Sequence, residues 1–416
     1  MTNAVHTAFR KFANTNSQTT KTRTGFVLFL SGGLCVFYYN MLSGEKTSDP
    51  AFQPSIKNYS LPVMETVFQA NSTVTQTITE HHILFWTKFF GGAVTPSHTI
   101  YQQALFGITR CPYSNCVVSD NRSRLAQSDA IVFHERDHLW DDLPAERRSS
   151  QYYIFFFLET PVHTWGNLDA IRDFYNLTFT YRLDSDIVSD LYYRTFQPTV
   201  WNSSSELDQL LRNKTGLVVT FVSNCFSVPS RRDVYTATLA QYVSVDVYGD
   251  CGTKQCNIST PEICDKLLVN YKFYLAFENS ICKDYVTEKV NRAYNNGAVP
   301  VVYGGANYSA LFPPHSFINV LDFDSPKALA DYLVFLSTNT TEYRKYFEWR
   351  MSAVTARLAV EFTEISWCRL CAILNTRQPQ RRISTSVGQW WHGQGWCRKP
   401  QTRYREWLNN PILPVD

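Results

Sequence analysis

The chain has 416 residues, 44% of them hydrophobic and 18% charged, with a formal net charge of +3. That length accommodates two domains with sizeable cores, and an aromatic share of 15% excludes a disordered or fibrous chain. Arg10, Lys11, Lys21 and Arg23 lie near the N-terminus with no acid beside them; removing these four from the net +3 leaves −1, too little positive charge on the body to hold a nucleic acid.

Gly25 to Leu42 carries no charge. As a helix it would span about 27 Å, enough for a thin bilayer. The competing reading is a cleaved signal peptide, but the run exceeds the usual ~7–15 apolar residues and no clear small-x-small site follows. With basic residues ahead of it, the segment is expected to be a single uncleaved transmembrane signal anchor. Residues 1–24 are then a cytosolic tail, 25–42 the span, and everything after it lumenal. Residues 43–80, polar and rich in Ser, Thr and Asn, read as a stem.

Two features agree with a lumenal body. N-x-S/T sequons occur at Asn58, Asn71, Asn121, Asn176, Asn202, Asn213, Asn257, Asn307 and Asn339. Of the 11 cysteines, Cys35 lies in the apolar segment, leaving an even number in the body, which in an oxidising compartment reads as disulfides. Close pairs are Cys111 with Cys116, Cys251 with Cys256, and Cys368 with Cys371; the spacing does not give the connectivity. The metal alternative is a zinc-like set of Cys368, Cys371, His392 and Cys397.

From His82 onward the pattern becomes one of buried strands. Ile83–Trp86, Ala130–Phe133 and Tyr153–Leu158 are continuous apolar runs, as parallel strands covered on both faces require. A second series follows: strand Leu217–Val222, a helical spacing over Arg231–Tyr242, strands Val243–Tyr248 and Tyr271–Phe277, a helical spacing through Val286, Val290, Ala293 and Tyr294, and strand Ala298–Val302. The alternation predicts an α/β protein of two doubly wound domains facing a cleft.

In such sheets ligands bind at the carboxyl ends of strands. After the Tyr271–Phe277 strand come Glu278, Asn279, Ser280, Tyr285, Glu288 and Lys289, where a lysine could meet a diphosphate and a carboxylate sugar hydroxyls. The plain alternative is a solvated first helical turn with Asp284 as its N-cap. There is no Walker loop and no G-x-G-x-x-G, so a diphosphate would need side-chain cations, for which Arg231 and Arg232 are placed after a strand end. Glu159 ends a very apolar strand, and a carboxylate partly withdrawn from water there takes up a proton more readily, as a general base must. His134 and His163 are similar strand-end candidates. Asp184-Ser185-Asp186 and Asp322-Phe323-Asp324 are D-x-D sequences, a pattern that binds manganese in one glycosyltransferase class but arises often by chance. Tyr346–Trp349 and Trp390-Trp391 suit sugar stacking, or the core.

Several longer matches decide among these readings. They are Phe277-Glu278-Asn279-Ser280; Asp284-Tyr285-Val286-Thr287-Glu288-Lys289; Gly297–Val302; Pro314–Ile318; Glu159-Thr160-Pro161-Val162-His163-Thr164; Tyr181–Asp186; and Cys368-Arg369-Leu370-Cys371. Over about Ile83 to Cys371 the chain resembles the eukaryotic α1,3-fucosyltransferases, glycosyltransferase family 10. The resemblance implies a GT-B fold of two Rossmann-like domains, 81–215 for the acceptor and 216–375 for GDP-fucose, with a C-terminal tail over 376–416. It implies inverting transfer of fucose from GDP-β-L-fucose to the 3-hydroxyl of a GlcNAc, with Glu159 as base and Arg231, Asn279, Tyr285, Glu288 and Lys289 at the donor. No cofactor is required, although manganese stimulates some members. Location in the Golgi membrane as a single-pass type II protein, acting on glycoprotein glycans, follows from the same likeness. Thr160 stands where the family usually has Ser, and Gly304-Gly305-Ala306-Asn307 replaces its common Gly-Pro. The tail, with Trp390-Trp391 and Cys397, is more like invertebrate members that modify the N-glycan core than like the shorter vertebrate enzymes, which favours the core over an antennal acceptor. Two other readings stand beside it: a metal-dependent GT-A transferase using Asp184 and Asp186, and a membrane-tethered lectin without turnover.

Overall fold

The computed structural model describes residues 79–92, 111, 113–164, 167–171, 173–189, 204–225, 228–256, 261–351, 366–376, 386–395 and 397–398. The chain divides into two units, residues 1–71 and 72–416, and all described residues belong to the second. The expected cytosolic tail and anchor, and the stem up to residue 78, lie outside the described residues. Among the described residues no helix is long and apolar enough to cross a membrane.

The first sheet has six parallel strands: β1 His81–Phe85, β2 Cys116–Ser119, β3 Ala130–His134, β4 Tyr152–Phe157, β5 Leu177–Thr180 and β6 Ile187–Val188, in the order β2-β1-β3-β4-β5-β6. Strand alternation splits β4 between two cores. Ile154 and Phe156 face one with Val118, Val132 and Phe179. Tyr153, Phe155 and Phe157 face the other with Phe133, Tyr175 and Tyr181. Both faces are therefore dry, and each fully buried side chain of this size contributes roughly 1.5–3 kcal/mol.

The second sheet contains β7 Gly216–Phe221, β8 Val245–Tyr248, β9 Tyr271–Phe277, β11 Val299–Tyr303 and β12 Ile318–Asn319, all parallel, in the order β12-β11-β9-β7-β8. A two-residue strand, β10 Ile281–Cys282, pairs antiparallel with β13 Cys397–Arg398. The described helices are α1 Ser204–Arg212, α2 Arg232–Leu239, α3 Pro261–Leu268, α4 Lys289–Asn295, α5 Tyr308–Leu311, α6 Pro326–Thr338, α7 Thr340–Arg344 and α8 Ser366–Thr376. Leu207 of α1, Val234 and Tyr235 of α2, and Leu329 and Leu333 of α6 pack against Phe273, Leu275 and Phe277 of β9. Val290, Ala293 and Tyr294 of α4 cover Tyr274 and Ala276 on the opposite face. Ser325 caps α6 by accepting from the Ala328 N–H, with Pro326 in the first turn. Gly297, at φ 64°, stops α4 in a backbone conformation that side chains disfavour.

Helix α8 does not stay with the second sheet. Its Trp367, Leu370, Cys371 and Leu374 pack on the first sheet beside Ile83, Val118 and Phe156. Disulfides Cys111–Cys368 and Cys116–Cys371 fasten it there. The remaining bridges are Cys225–Cys251, Cys256–Cys264 and Cys282–Cys397. None of the three close pairs is bridged to itself: the crossing of α8 joins Cys111 and Cys116 to Cys368 and Cys371, while Cys251 and Cys256 pair with Cys225 and Cys264. The zinc-like set is excluded, as Cys368, Cys371 and Cys397 are all in disulfides.

Candidate active site

Glu159 stands two residues beyond β4, with 20% of its side chain exposed. The carboxyl ends of β4 and β9 meet here. Thr160 Oγ1 donates to Ser280 Oγ at 3.2 Å, and both side chains are fully buried. Glu159 Oε2 accepts from Asn279 Nδ2 at 3.4 Å and from the Tyr285 hydroxyl at 3.3 Å. A carboxylate of the first sheet is therefore held by two side chains that follow β9. His163 closes the same turn, its Nδ1 2.9 Å from Thr160 Oγ1 and 3.8 Å from Glu159 Oε2. Burial holds the His163 imidazole below the ordinary histidine value, against the pull of Glu159.

Across the site, Glu278 is fully buried at the end of β9. It accepts from Thr287 N at 2.9 Å and from Lys289 Nζ at 3.1 Å. Burial raises the Glu278 carboxyl above its ordinary value, with Lys289 pulling the other way. Burial pulls the Lys289 ammonium down, but Glu278 and Glu288 outweigh it and the net shift is upward. Its side chain is 17% exposed, and Glu288 Oε1 lies 3.6 Å from Nζ.

The two adjacent arginines part company. Arg232 is buried and donates to the carbonyls of Phe277 at 2.9 Å and Asn224 at 3.2 Å. Arg231 takes a left-handed backbone, φ 52°, at the start of α2. That turn is bolted to the end of β9, with Ser230 N bonded to Asn279 O at 2.9 Å and Ser230 Oγ to Glu278 O at 2.7 Å. The Arg231 guanidinium makes no hydrogen bond or ion pair with any described residue.

Other candidates do not converge here. Asp184 accepts from Arg182 Nε at 2.8 Å and Lys283 Nζ at 2.9 Å, while Asp186 turns inward to Thr178 N at 2.9 Å and Thr178 Oγ1 at 2.8 Å. Their carboxylates serve different partners, which removes the paired-aspartate metal site of the GT-A reading. Among the described residues no group of three His, Cys, Asp or Glu is disposed to hold a metal ion. His134 is fully buried, 2.6 Å from Asp137, and packs against the rings of Phe89 and Phe90. Trp390 and Trp391 are core residues. Asp284 is not an N-cap: it has φ 60°, accepts from Leu183 N at 3.3 Å, and the helix begins only at Lys289. Of the sequons, Asn121, Asn307 and Asn339 cap short helices through their side-chain oxygens, and Asn176 accepts from Tyr153 N. Asn213 is exposed, and Asn58, Asn71, Asn202 and Asn257 lie outside the described residues.

The model described as "Fucosyltransferase, N-terminal" matches residues 79–192, and "Glycosyltransferase family 10 (fucosyltransferase) C-term" matches residues 211–390. The chain belongs to glycosyltransferase family 10. Alpha-(1,3)-fucosyltransferase C of Drosophila melanogaster is 35% identical over 78% of this chain and 80% of its own length. Glycoprotein 3-alpha-L-fucosyltransferase A of the same organism is 37% identical over 72% of this chain, which spans 58% of that relative. A bovine 4-galactosyl-N-acetylglucosaminide 3-alpha-L-fucosyltransferase 9 is 33% identical over 86% of this chain and 94% of its own. A crystal structure of an alpha1,3-fucosyltransferase aligns with TM-score 0.45 and 19% identity over 67% of this chain and 84% of that one.

For a family 10 protein the site is a junction of both matched regions. Glu159 comes from the first; Asn279, Tyr285 and Lys289 come from the second. Sequence reasoning missed the Thr160–Ser280 bond and the grip of Thr287 on Glu278, which rest on contacts between residues that no local pattern links.

Proposed function

We propose that this chain is an inverting α1,3-fucosyltransferase, moving L-fucose from GDP-β-L-fucose to the 3-hydroxyl of a GlcNAc on glycoprotein glycans, the N-glycan core being the favoured acceptor. The observation that carries this reading is the partly exposed Glu159 carboxylate, gripped by Asn279 and Tyr285 across the junction of two sheets. In the proposed reaction Glu159 takes the proton of the acceptor 3-hydroxyl as that oxygen bonds to the fucose anomeric carbon, and the bond from that carbon to the diphosphate breaks. The departing GDP gains negative charge, which Arg231 and Lys289 are placed to offset. Asn279, Tyr285 and Glu288 would fix the donor. Inversion follows from a single displacement with one base. The reading includes a type II anchor at residues 25–42 and a lumenal, Golgi-held catalytic body.

The test uses the full chain in detergent with GDP-fucose, a core N-glycan and a LacNAc oligosaccharide, with and without EDTA, products being read by mass. A deoxyhexose gained by the core glycan is the expected result. Gain only on LacNAc would replace the acceptor assignment. Binding of both glycans with no mass gained would favour the lectin reading, which leaves Arg231 and Lys289 without a use.

A further inference from the structure

Residues 386–395 lie against the segments that follow β4 and β5 of the first sheet, and Cys397–Arg398 pairs with β10. Ser386 Oγ donates to Asp169 Oδ1 at 3.0 Å. The Gly388 backbone lies so close to Asp169 that a Cβ there would sit 2.8 Å from its amide nitrogen. Arg182 spreads over the Trp390 ring, 4.1 Å from its centroid, and donates to the Trp390 carbonyl. Trp391 is fully buried, and its Nε1 donates to Thr164 Oγ1 at 2.7 Å. The run then crosses to β10, where Cys397 is disulfide-bonded to Cys282.

Two of these ties bracket the reacting pair. Thr164 ends the short turn that begins directly after Glu159 and Thr160. The Trp391 ring also touches Tyr181 at 5.7 Å, and Tyr181 packs edge-on against Tyr285 at 4.9 Å. Cys282 lies between Asn279 and Tyr285, the two donors to Glu159. One continuous segment thus holds the base through Trp391 and the donors through Cys397. None of its described side chains is bonded to Arg231 or Lys289, so it controls alignment and not the cations.

We propose that residues 386–395 and 397–398 form a positioning strap, in which Trp391 and Cys397 set the alignment of Glu159 with Asn279 and Tyr285 and so govern turnover, while the hold of Arg231 and Lys289 on the GDP diphosphate is left in place. The effect on turnover rests on the fucosyl-transfer reading; the effect on order does not. The test compares the full chain with Trp391→Phe, which keeps most of the ring and loses the N–H, and with the double variant Cys282→Ser/Cys397→Ser. In each, kcat should fall by about tenfold or more, since small misalignments of reacting groups are costly. The affinity for GDP, which rests on Arg231 and Lys289, should stay within about twofold. Amide exchange over residues 279–289 should quicken in the double variant while that of β3 and β4 is unchanged. Wild-type kcat in both variants would overturn the proposal, as would GDP affinity falling in step with kcat. If the wild-type chain transfers no fucose, the fucosyl-transfer reading fails on its own. Exchange then still decides the strap: faster exchange at 279–289 supports it, and unchanged exchange overturns it.

Discussion

The Tyr285 hydroxyl donates to Oε2 of Glu159 across 3.3 Å, joining side chains 126 residues apart in sequence, one in the segment after β4 and the other in the segment after β10. Glu159→Gln keeps the shape and an acceptor for Tyr285 but cannot take up a proton. Its kcat is expected to fall by ~10²–10⁴-fold while GDP affinity and melting temperature hold. Tyr285→Phe leaves Asn279 as the remaining donor seen on that oxygen, and its kcat should fall by about tenfold, one hydrogen bond to a charged group. Steady-state rates decide both; a Glu159→Gln protein as fast as wild type is not missing its base.

Arg231 and Arg232 should separate cleanly. Arg231→Ala removes an unbonded guanidinium and is expected to weaken GDP binding by about ten- to a hundredfold with no change in melting temperature. Arg232→Ala strips a buried donor from the carbonyls of Phe277 and Asn224, at about 1–3 kcal/mol per group left unbonded. Its melting temperature should drop. Calorimetric titration with GDP beside a thermal melt distinguishes them, and equal behaviour would refute the division of labour.

Lys289→Ala would strand Glu278, a carboxylate with no exposed surface, at about 3–5 kcal/mol. Burial already raises the Glu278 carboxyl, and losing the lysine raises it further. The folded state then holds its proton more tightly than the unfolded chain does. Stability is retained below the ordinary carboxylate value and lost as pH rises through the folded one. The deficit of the variant against wild type should therefore be smaller near pH 5 than near pH 8. Thermal melts across that range check it, and a constant deficit would contradict the buried ion pair.

Lys214 offers the opposite sign. Its Nζ donates to the Val269 carbonyl at 2.8 Å in a buried setting, and burial, aided by Arg350, pushes it down to about 7. The unfolded lysine titrates near ~10.4, so between these values the unfolded chain binds more protons and stability rises with pH. Lys214→Met should flatten that rise by up to about 1.4 kcal/mol per pH unit. Identical pH slopes for the two proteins in chemical denaturation would rule this out.

Much of the fold was legible because its strands are buried on both faces. Tyr271–Phe277 reads as a strand from sequence and is one. The strands Leu177–Thr180 and Ile187–Val188 escaped notice, being short, with threonines in the first and only two residues in the second. The helix read through Val286 starts three residues later because the Thr287 N–H bonds to the Glu278 carboxylate and not into a helical ladder. The residues of the site were visible one by one and through resemblance, but the contacts among them were not. Asn279 and Tyr285 reach Glu159 only because two separately wound sheets meet end to end, and no period in the sequence encodes that. The same holds for the disulfides, whose halves lie up to 257 residues apart.

The placement of α8 has a consequence for the order of events during synthesis. Part of the apolar cover for the first sheet, including Trp367, Leu370 and Leu374, is encoded after the whole second sheet. A ribosome delivers the first six strands long before the helix that shields them, at roughly 5–20 residues per second. In that interval the face around Ile83, Val118 and Phe156 is bare, and Cys111 and Cys116 await partners not yet made. The nascent first domain therefore keeps this apolar face and these two thiols uncovered until α8 has been made. A chain terminated before residue 366 would never leave that state, however sound its second sheet.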